Sequence, residues 1–383
     1  MTEAAPIAVY VHWPYCARIC PYCDFNVVRD RTRTDEQAAL VRAIRRDIES
    51  QAEKLGPRRL VSVFFGGGTP SLMEPDAVAG IVETAARLFP SKAPVEVTLE
   101  ANPTDAEAAR FAGFAEAGVQ RLSLGVQALD DASLAFLGRN HSAAEARRAA
   151  EIAARLFPRL SVDLIYARPG QSPGQWAAEL EEAIGLGAEH VSPYQLTIEP
   201  GTAFDRAVNR GRFRPPDGEL AADLYDTTQA VLTRAGFDAY EVSNHAKGEA
   251  ARSAHNLAIW RGCEYLGAGP GAHGRLELCS GRVATRAAAA IGDYVSRVDQ
   301  TGLGWEAAET LDPRAAAEER LLLGLRIDEG VPFAEVGQLG LAPGSAVVAM
   351  LGDAGLVEVR GDRLAATPAG RLVLDRVIAE LAT

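Results

Sequence analysis

Cys16, Cys20 and Cys23 stand at i, i+4 and i+7 within Cys16-Ala17-Arg18-Ile19-Cys20-Pro21-Tyr22-Cys23. A regular helix would put all three thiols on one face. Pro14 and Pro21 bracket the segment, however, and proline inside a helix removes a donor and clashes with the preceding turn. The spacing therefore predicts a loop that curls three sulfurs around one centre. Iron–sulfur clusters are held by cysteine thiolates, normally four, so three would leave one iron of a four-iron cluster open to a non-protein ligand. Zinc, with His12 as a fourth ligand, uses the same soft thiolates. Cysteines that only pack are the plain alternative.

A second group of residues points to ligand binding. Gly66, Gly67 and Gly68 follow an apolar run and precede Thr69-Pro70; consecutive glycines let a ligand approach the main chain closely, although such a turn also serves as a tight loop. Glu100, Gln127, Arg139 and Asp163 are each ordinary alone, and a carboxylate at a strand end is often a helix cap. Their recurrence at the ends of successive apolar runs describes a polar cup.

The elements that must position these groups alternate. Strand-type runs at Ile7 to His12, Leu60 to Phe65, Val95 to Glu100, Arg121 to Gln127, Leu160 to Tyr166 and His190 to Thr197 are separated by helical patterns. The helices are expected at Asp35 to Leu55 after a Thr34 cap, Asp76 to Leu88, Ala106 to Ala117, Asp131 to Leu137, Ala143 to Leu156 and Pro173 to Gly185. Strands alternating with helices imply parallel pairing with right-handed crossovers. Both a barrel and a doubly wound sheet satisfy that order. Polar residues at the carboxyl end of nearly every strand favour a barrel, where chemistry sits at that end. Six units rather than eight make it incomplete.

Farther on, a helix Leu220 to Ala235 and a strand Asp238 to Val242 lead into a glycine- and histidine-rich segment. The tail carries helices near Ala315 to Leu325, Ser345 to Ala354 and Ala369 to Leu381, with a hairpin over 356–367 turning on Gly361-Asp362. The fold class is thus α/β: an incomplete (β/α)6 TIM-type barrel with a small C-terminal winged-helix-like domain. The expected divisions are 1–240, 241–305 and 306–383.

Composition narrows the function classes. A formal charge of −12 argues against a nucleic-acid partner, which needs a basic footprint. Five cysteines, three of them clustered, suit a metal site in a reducing compartment rather than a disulfide framework. The first residues lack the features of a signal peptide and no run is long enough to span a membrane, so a cytoplasmic location is expected.

The pattern Cys-x3-Cys-x-aromatic-Cys, with Tyr22 as the aromatic, resembles the signature of the radical S-adenosylmethionine (radical SAM) enzymes. In that family the open iron is chelated by SAM, and reduction of the cluster yields a 5′-deoxyadenosyl radical. The resemblance implies a [4Fe–4S] cluster on Cys16, Cys20 and Cys23, with Gly66 to Pro70 against the SAM methionyl group. Tyr10 to Cys16, Gly66 to Pro70, Gly125 to Gln127, Asp163 to Tyr166 and the terminal domain together look like the oxygen-independent coproporphyrinogen III oxidase family. By that likeness Tyr10, Tyr22, Gly67, Gly68, Thr69, Glu100, Gln127, Arg139 and Asp163 match SAM-site positions.

Two features separate branches of that family. The oxidases look like Cys-x3-Cys-x2-Cys-x-Cys, whereas Phe25 stands two residues beyond Cys23 here. The haem-chaperone branch, of HemW type, has phenylalanine there and a His-Asn-x-x-Tyr-Trp segment; this chain has His255-Asn256-Leu257-Ala258-Ile259-Trp260, with Ile259 in place of the tyrosine. The resemblance implies a haem chaperone with His255 as a haem contact, His245, His273 and Cys263 being weaker candidates. It implies a haem-accepting partner of the respiratory haem-protein kind, which would bring transient contact with a membrane protein. The rival activity is oxidative decarboxylation of coproporphyrinogen III. From another class, the rival is a zinc-binding structural protein whose terminal domain touches nucleic acid.

Overall fold

The strand and helix alternation folds as a run of parallel neighbours. The structure, a computed structural model, describes residues 4–31 and 34–383. Strands Ala5–Trp13, Arg58–Gly67, Glu96–Ala101, Arg121–Gln127, Arg159–Tyr166 and His190–Gln195 pair in chain order, each parallel to the next. These strands are covered on both faces, which is why they read as near-continuous apolar runs rather than alternating ones. The helices between them start at definite points: Ser142 with Glu145 and Ser172 with Gln175 form reciprocal capping boxes. Helix Ala143–Leu156 buries a face of Ala143, Ala146, Ala149, Ala150 and Ala153, small side chains that let it lie close to the sheet.

The sheet is wider than the alternation alone suggests. Glu264–Ala268 pairs parallel with the free side of Ala5–Trp13, and His273–Leu278, Gly281–Ala287 and Trp305–Thr310 continue from it antiparallel. At the other edge, Asn244–Ala246 joins His190–Gln195 and turns back onto Asp238–Glu241. Twelve strands therefore form one open sheet, and both position 240 and position 305 fall within hydrogen-bonded strands.

Two expected helices are each broken once. The pattern over Ala106 to Ala117 becomes Asp105–Ala108 and Phe111–Glu116, because Arg110 turns back to donate to the Ser71 and Met73 carbonyls at 3.1 and 2.7 Å. The last one divides at Val373, into Pro368–Leu372 and Leu374–Leu381.

A short helix, Ala254–Trp260, lies under the amino-terminal ends of the first strands. Glu96, at the start of its strand, fixes the helix by accepting from the backbone N–H groups of Ala254 and His255 at 3.1 and 3.0 Å, and it pairs with Arg159 at 2.5 Å. This helix plugs the barrel end opposite the cysteines. The C-terminal region has its own core of Leu321, Leu325, Val331, Val336, Leu364 and Val377 under a three-stranded sheet. Its hairpin turns on Gly361, whose φ of 62° suits glycine. Arg326 ties it to the plug, pairing with Glu241 at 2.6 Å and lying 4.8 Å over the Trp260 ring. Among the described residues no helix is long and apolar enough to cross a membrane.

Candidate metal centre and cofactor cavity

The cysteine segment is a loop, as its prolines require. Tyr15–Cys16 and Val28–Arg29 pair parallel and close its base, and residues 17–27 between them form neither helix nor strand. The glycine turn is stitched to it: Gly68 N–H donates to the Trp13 carbonyl at 2.7 Å and Thr69 N–H to the Tyr15 carbonyl at 2.8 Å. A Cβ on Gly68 would lie 2.7 Å from the Tyr15 oxygen, so only glycine lets the two segments meet. Gly67, at φ +103°, passes over the His12 ring with equally little room.

The far side of the loop is held by Asn26. Its amide donates to the carbonyls of Pro270 and Ala289 at 2.9 and 2.8 Å, which joins the cysteine loop to the antiparallel extension. His12 Nε2 donates to the Asn26 carbonyl at 2.9 Å, leaving Nδ1 to accept from the Tyr10 hydroxyl at 3.0 Å. Burial holds His12 below the usual imidazole range, so it stays neutral in this pair. Asn26→Ala removes two hydrogen bonds, about 1 kcal/mol each. The expected result is a cluster that bleaches several-fold faster in air, followed by its visible absorbance. An unchanged bleaching rate together with an unchanged melting temperature would show that the clamp holds nothing.

A cavity of about 430 Å³ opens at the carboxyl ends of the strands. Cys16, Cys20, Tyr22, Cys23, Gly67, Gly68, Thr69, Glu100, Gln127, Arg139 and Asp163 all line it. Tyr10 does not; its ring packs behind Gly66, whose neighbours are Phe64, Tyr10 and Glu100. Arg139 organises one wall, donating to Cys20 Sγ at 3.4 Å, to the Gly125 carbonyl at 3.0 Å and to Asn102 Oδ1. Asn102 passes this order on, since its amide donates to Thr69 Oγ1 at 3.2 Å. Asn102, Ser123 and Tyr194 are lining residues that sequence reasoning did not single out. The signal for Asn102 was its place two residues past Glu100, before Pro103.

Burial displaces several titratable groups of the cavity. Burial, and then the neighbouring Asp163, push the Glu100 carboxyl up to about 8, so it holds its proton at neutral pH. Asp163 is also raised by burial, against the opposing effect of Ser123 Oγ, which donates to it at 2.9 Å. Burial pushes the Cys16 thiol up to about 11, and Cys23 rises for the same reason. Metal binding to these thiols must therefore expel protons.

His255 lies elsewhere. Its side chain is 3 % exposed within the plug helix, Nδ1 is 2.9 Å from Ser62 Oγ, and the ring stacks on Phe64 at 4.8 Å. Burial lowers it to about 4, so the imidazole is neutral. Beside the plug a second, polar cavity of about 230 Å³ is lined by Arg121, Asp163, Glu241, Asn256, Trp260 and Arg326, among others. The weaker candidates are scattered: His245 bonds Gln229 at 3.2 Å, Cys263 is half-buried and His273 sits on an outer strand.

Residues 10–183 match the model of the Radical SAM superfamily, and residues 311–373 that of the HemN C-terminal domain. The mitochondrial radical S-adenosyl methionine domain-containing protein 1 of Bos taurus is 44% identical over 329 residues, 85% of this chain and 74% of its own. The haem chaperone HemW of Mycobacterium tuberculosis is 37% identical over 383 residues, covering 98% of this chain and 95% of its own. The chain belongs to the HemW family of radical SAM proteins. Its fold is that of the coproporphyrinogen III oxidase HemN from Escherichia coli, with a TM-score of 0.82 at 21% identity over 99% of this chain and 91% of that one. The partial-barrel reading and the HemN-type terminal domain are thereby borne out.

Membership in the radical SAM superfamily implies a [4Fe–4S] cluster and SAM, and this HemW-family chain has the donors for both. Three thiols line one cavity, and the residue two beyond the last of them is Phe25 rather than a fourth cysteine. Among the described residues no trio of Cys, His, Asp or Glu side chains converges on a single ion position; a cubane cluster instead takes each thiolate to a different iron. Gln127, itself at φ 65°, has a buried Oε1 without a hydrogen-bond partner among the described residues. It lines the cavity, as an acceptor awaiting a ligand donor would.

Proposed function

We propose that this chain is a haem chaperone: it carries one [4Fe–4S] cluster on Cys16, Cys20 and Cys23, binds SAM in the adjoining cavity, and passes haem to an acceptor haem protein. The observation that carries the reading is the likeness to proteins named haem chaperone HemW, which in one case runs through nearly the whole of both chains. The bound cluster and SAM would supply radical chemistry or a regulated transfer step. The chain's own residues do the rest. Gly67, Gly68 and Thr69 offer a closely approachable backbone for the methionyl end, and Glu100 and Asp163, on the barrel strands, are carboxylates for a cationic ligand. Gln127 offers an acceptor, and Arg139 steadies the Cys20 side of the loop while Tyr22 covers it. Tyr10 acts from behind, through His12 and the loop it holds. His255 supports the plug, and a haem role for it would require that helix to move. A cytoplasmic setting suits five unpaired thiols, and a respiratory acceptor would add transient contact with a membrane protein.

The test is incubation of anaerobically reconstituted protein with SAM, a reductant, coproporphyrinogen III and haem, followed by mass spectrometry of small molecules and intact protein. Unchanged porphyrinogen beside haem retained by the protein is expected. Loss of carbon dioxide from the porphyrinogen, with 5′-deoxyadenosine formed in step, would make the chain an oxidase instead.

A further inference from the structure

Ten large hydrophobic side chains are exposed among the described residues; three of them line one cavity and a fourth lies at the base of its loop. Ile19, Phe25 and Tyr194, at 45, 62 and 44 % exposure, line the cysteine cavity itself. Val28 is paired in register with Tyr15 at the base of the same loop. Five of the other six lie on the C-terminal helices and hairpin, away from any ligand cavity described above. An apolar surface left in water beside a binding cavity marks an interaction site. Phe25 is the clearest case: it is the most exposed of the ten, yet it follows the last cluster thiol by two residues.

The same loop presents two cations. Arg18 and Arg29 are exposed, the first donating to the Arg139 carbonyl at 3.4 Å, the second in register with Cys16. Neither is in an ion pair with any described residue. An apolar surface with Arg18 on the cavity wall and Arg29 at the base of the loop, and with the exposed Asp24 between them in the chain, offers two guanidinium groups to a flat apolar disc with two carboxylates, guanidinium being the side chain suited to bidentate carboxylate recognition.

The interior offers haem no comparable place. The cavity beside the plug helix holds about 230 Å³, below the roughly 300 Å³ at which pockets for drug-sized ligands begin, and Arg121, Asp163, Glu241 and Arg326 make its walls charged. The larger cavity, about 430 Å³, is needed by SAM.

We infer that haem docks flat across the mouth of the cysteine cavity, its macrocycle on Phe25 and Ile19 and its propionates toward Arg18 and Arg29. This rests on the haem-chaperone reading and assigns it a surface. Haem placed there closes the cavity, so bound SAM leaves more slowly when haem is present.

The test titrates haem into the full chain, anaerobically loaded with its cluster, and follows the Soret absorbance. Phe25→Asp and Ile19→Asp should each weaken haem binding at least tenfold with iron and sulfide content unchanged; should Phe25→Asp lose its cluster, Ile19→Asp decides. The double change Arg18→Glu and Arg29→Glu should weaken binding and abolish its salt dependence. Release of preloaded radiolabelled SAM should slow several-fold on adding haem to the unmodified chain, and not in Ile19→Asp. Normal haem affinity in both aspartate variants overturns the location, as does a loss confined to His255→Gln; in either case the patch is left to a protein partner. An unmodified chain that takes up no haem overturns the chaperone reading and this surface with it.

Discussion

Replacing any one of Cys16, Cys20 and Cys23 by alanine is expected to leave a folded protein without its cluster. Iron and acid-labile sulfide should fall from roughly four each per chain to near zero, and the brown absorbance with them. The loss should be nearly complete because each thiolate would hold a different iron and the loop offers no substitute. Cys263 is half-buried beside the plug, following Ala258 to Gly262 in the chain, and Cys279 is exposed at the end of an outer strand. The fold should survive because the loop owes its path to other groups: the backbone bonds from Gly68 and Thr69 and the amide of Asn26. None of these uses a sulfur. Far-ultraviolet circular dichroism should therefore be unchanged, and Cys263→Ala and Cys279→Ala should keep a full cluster. A normal cluster in all three loop variants would remove these cysteines from the site.

What the sequence disclosed follows from where its signals are local. The three thiols, their bracketing prolines and the glycine turn lie in two short segments, so the loop and its meeting with the turn could be anticipated. The barrel strands were legible because burial on both faces makes them apolar throughout, as in Arg121–Gln127. The antiparallel extension was not. Its strands carry glycines where two backbones touch: a Cβ on Gly267 would lie 2.0 Å from the His273 oxygen, and one on Gly274 3.1 Å from the Tyr265 oxygen. Glycine lowers strand propensity, so the contact that requires it also hides the strand. Asn102 and Asn26 stayed hidden for another reason. Each works through contacts to residues 33 or more positions away, and periodicity carries no record of such contacts. His255 was legible as part of a motif, but its burial against Ser62 and Phe64 depends on a helix folding under strands some 190 residues earlier in the chain.

Glu100→Gln should separate the binding role of this carboxyl from its effect on stability. In the ligand-free chain Glu100 is pushed from its ordinary 4.5 to about 8, first by burial and then by Asp163. The folded state thus holds this proton more tightly than the unfolded state. The stability contributed is fully present below pH 4.5 and is lost as pH rises toward 8, at no more than about 1.4 kcal/mol per pH unit, the limit set by a single linked proton. Urea midpoints of the ligand-free chain should accordingly fall between pH 5 and 8, and Glu100→Gln, which cannot ionise, should flatten that fall and raise the midpoint at pH 8. Binding should move the other way. A cationic ligand group beside Glu100 favours the carboxylate, so SAM uptake at neutral pH should release close to one proton, seen by calorimetry in buffers of different ionisation enthalpy. The glutamine keeps the shape but not the charge, so its SAM affinity should drop on the order of 10- to 100-fold with the cluster intact, since hydrogen bonds to charged groups contribute about 1.5–3 kcal/mol. Proton release that persists in Glu100→Gln would assign the titration to Asp163, the other raised carboxyl in the cavity, and an unchanged SAM affinity would place the ligand's cation away from both strands' ends.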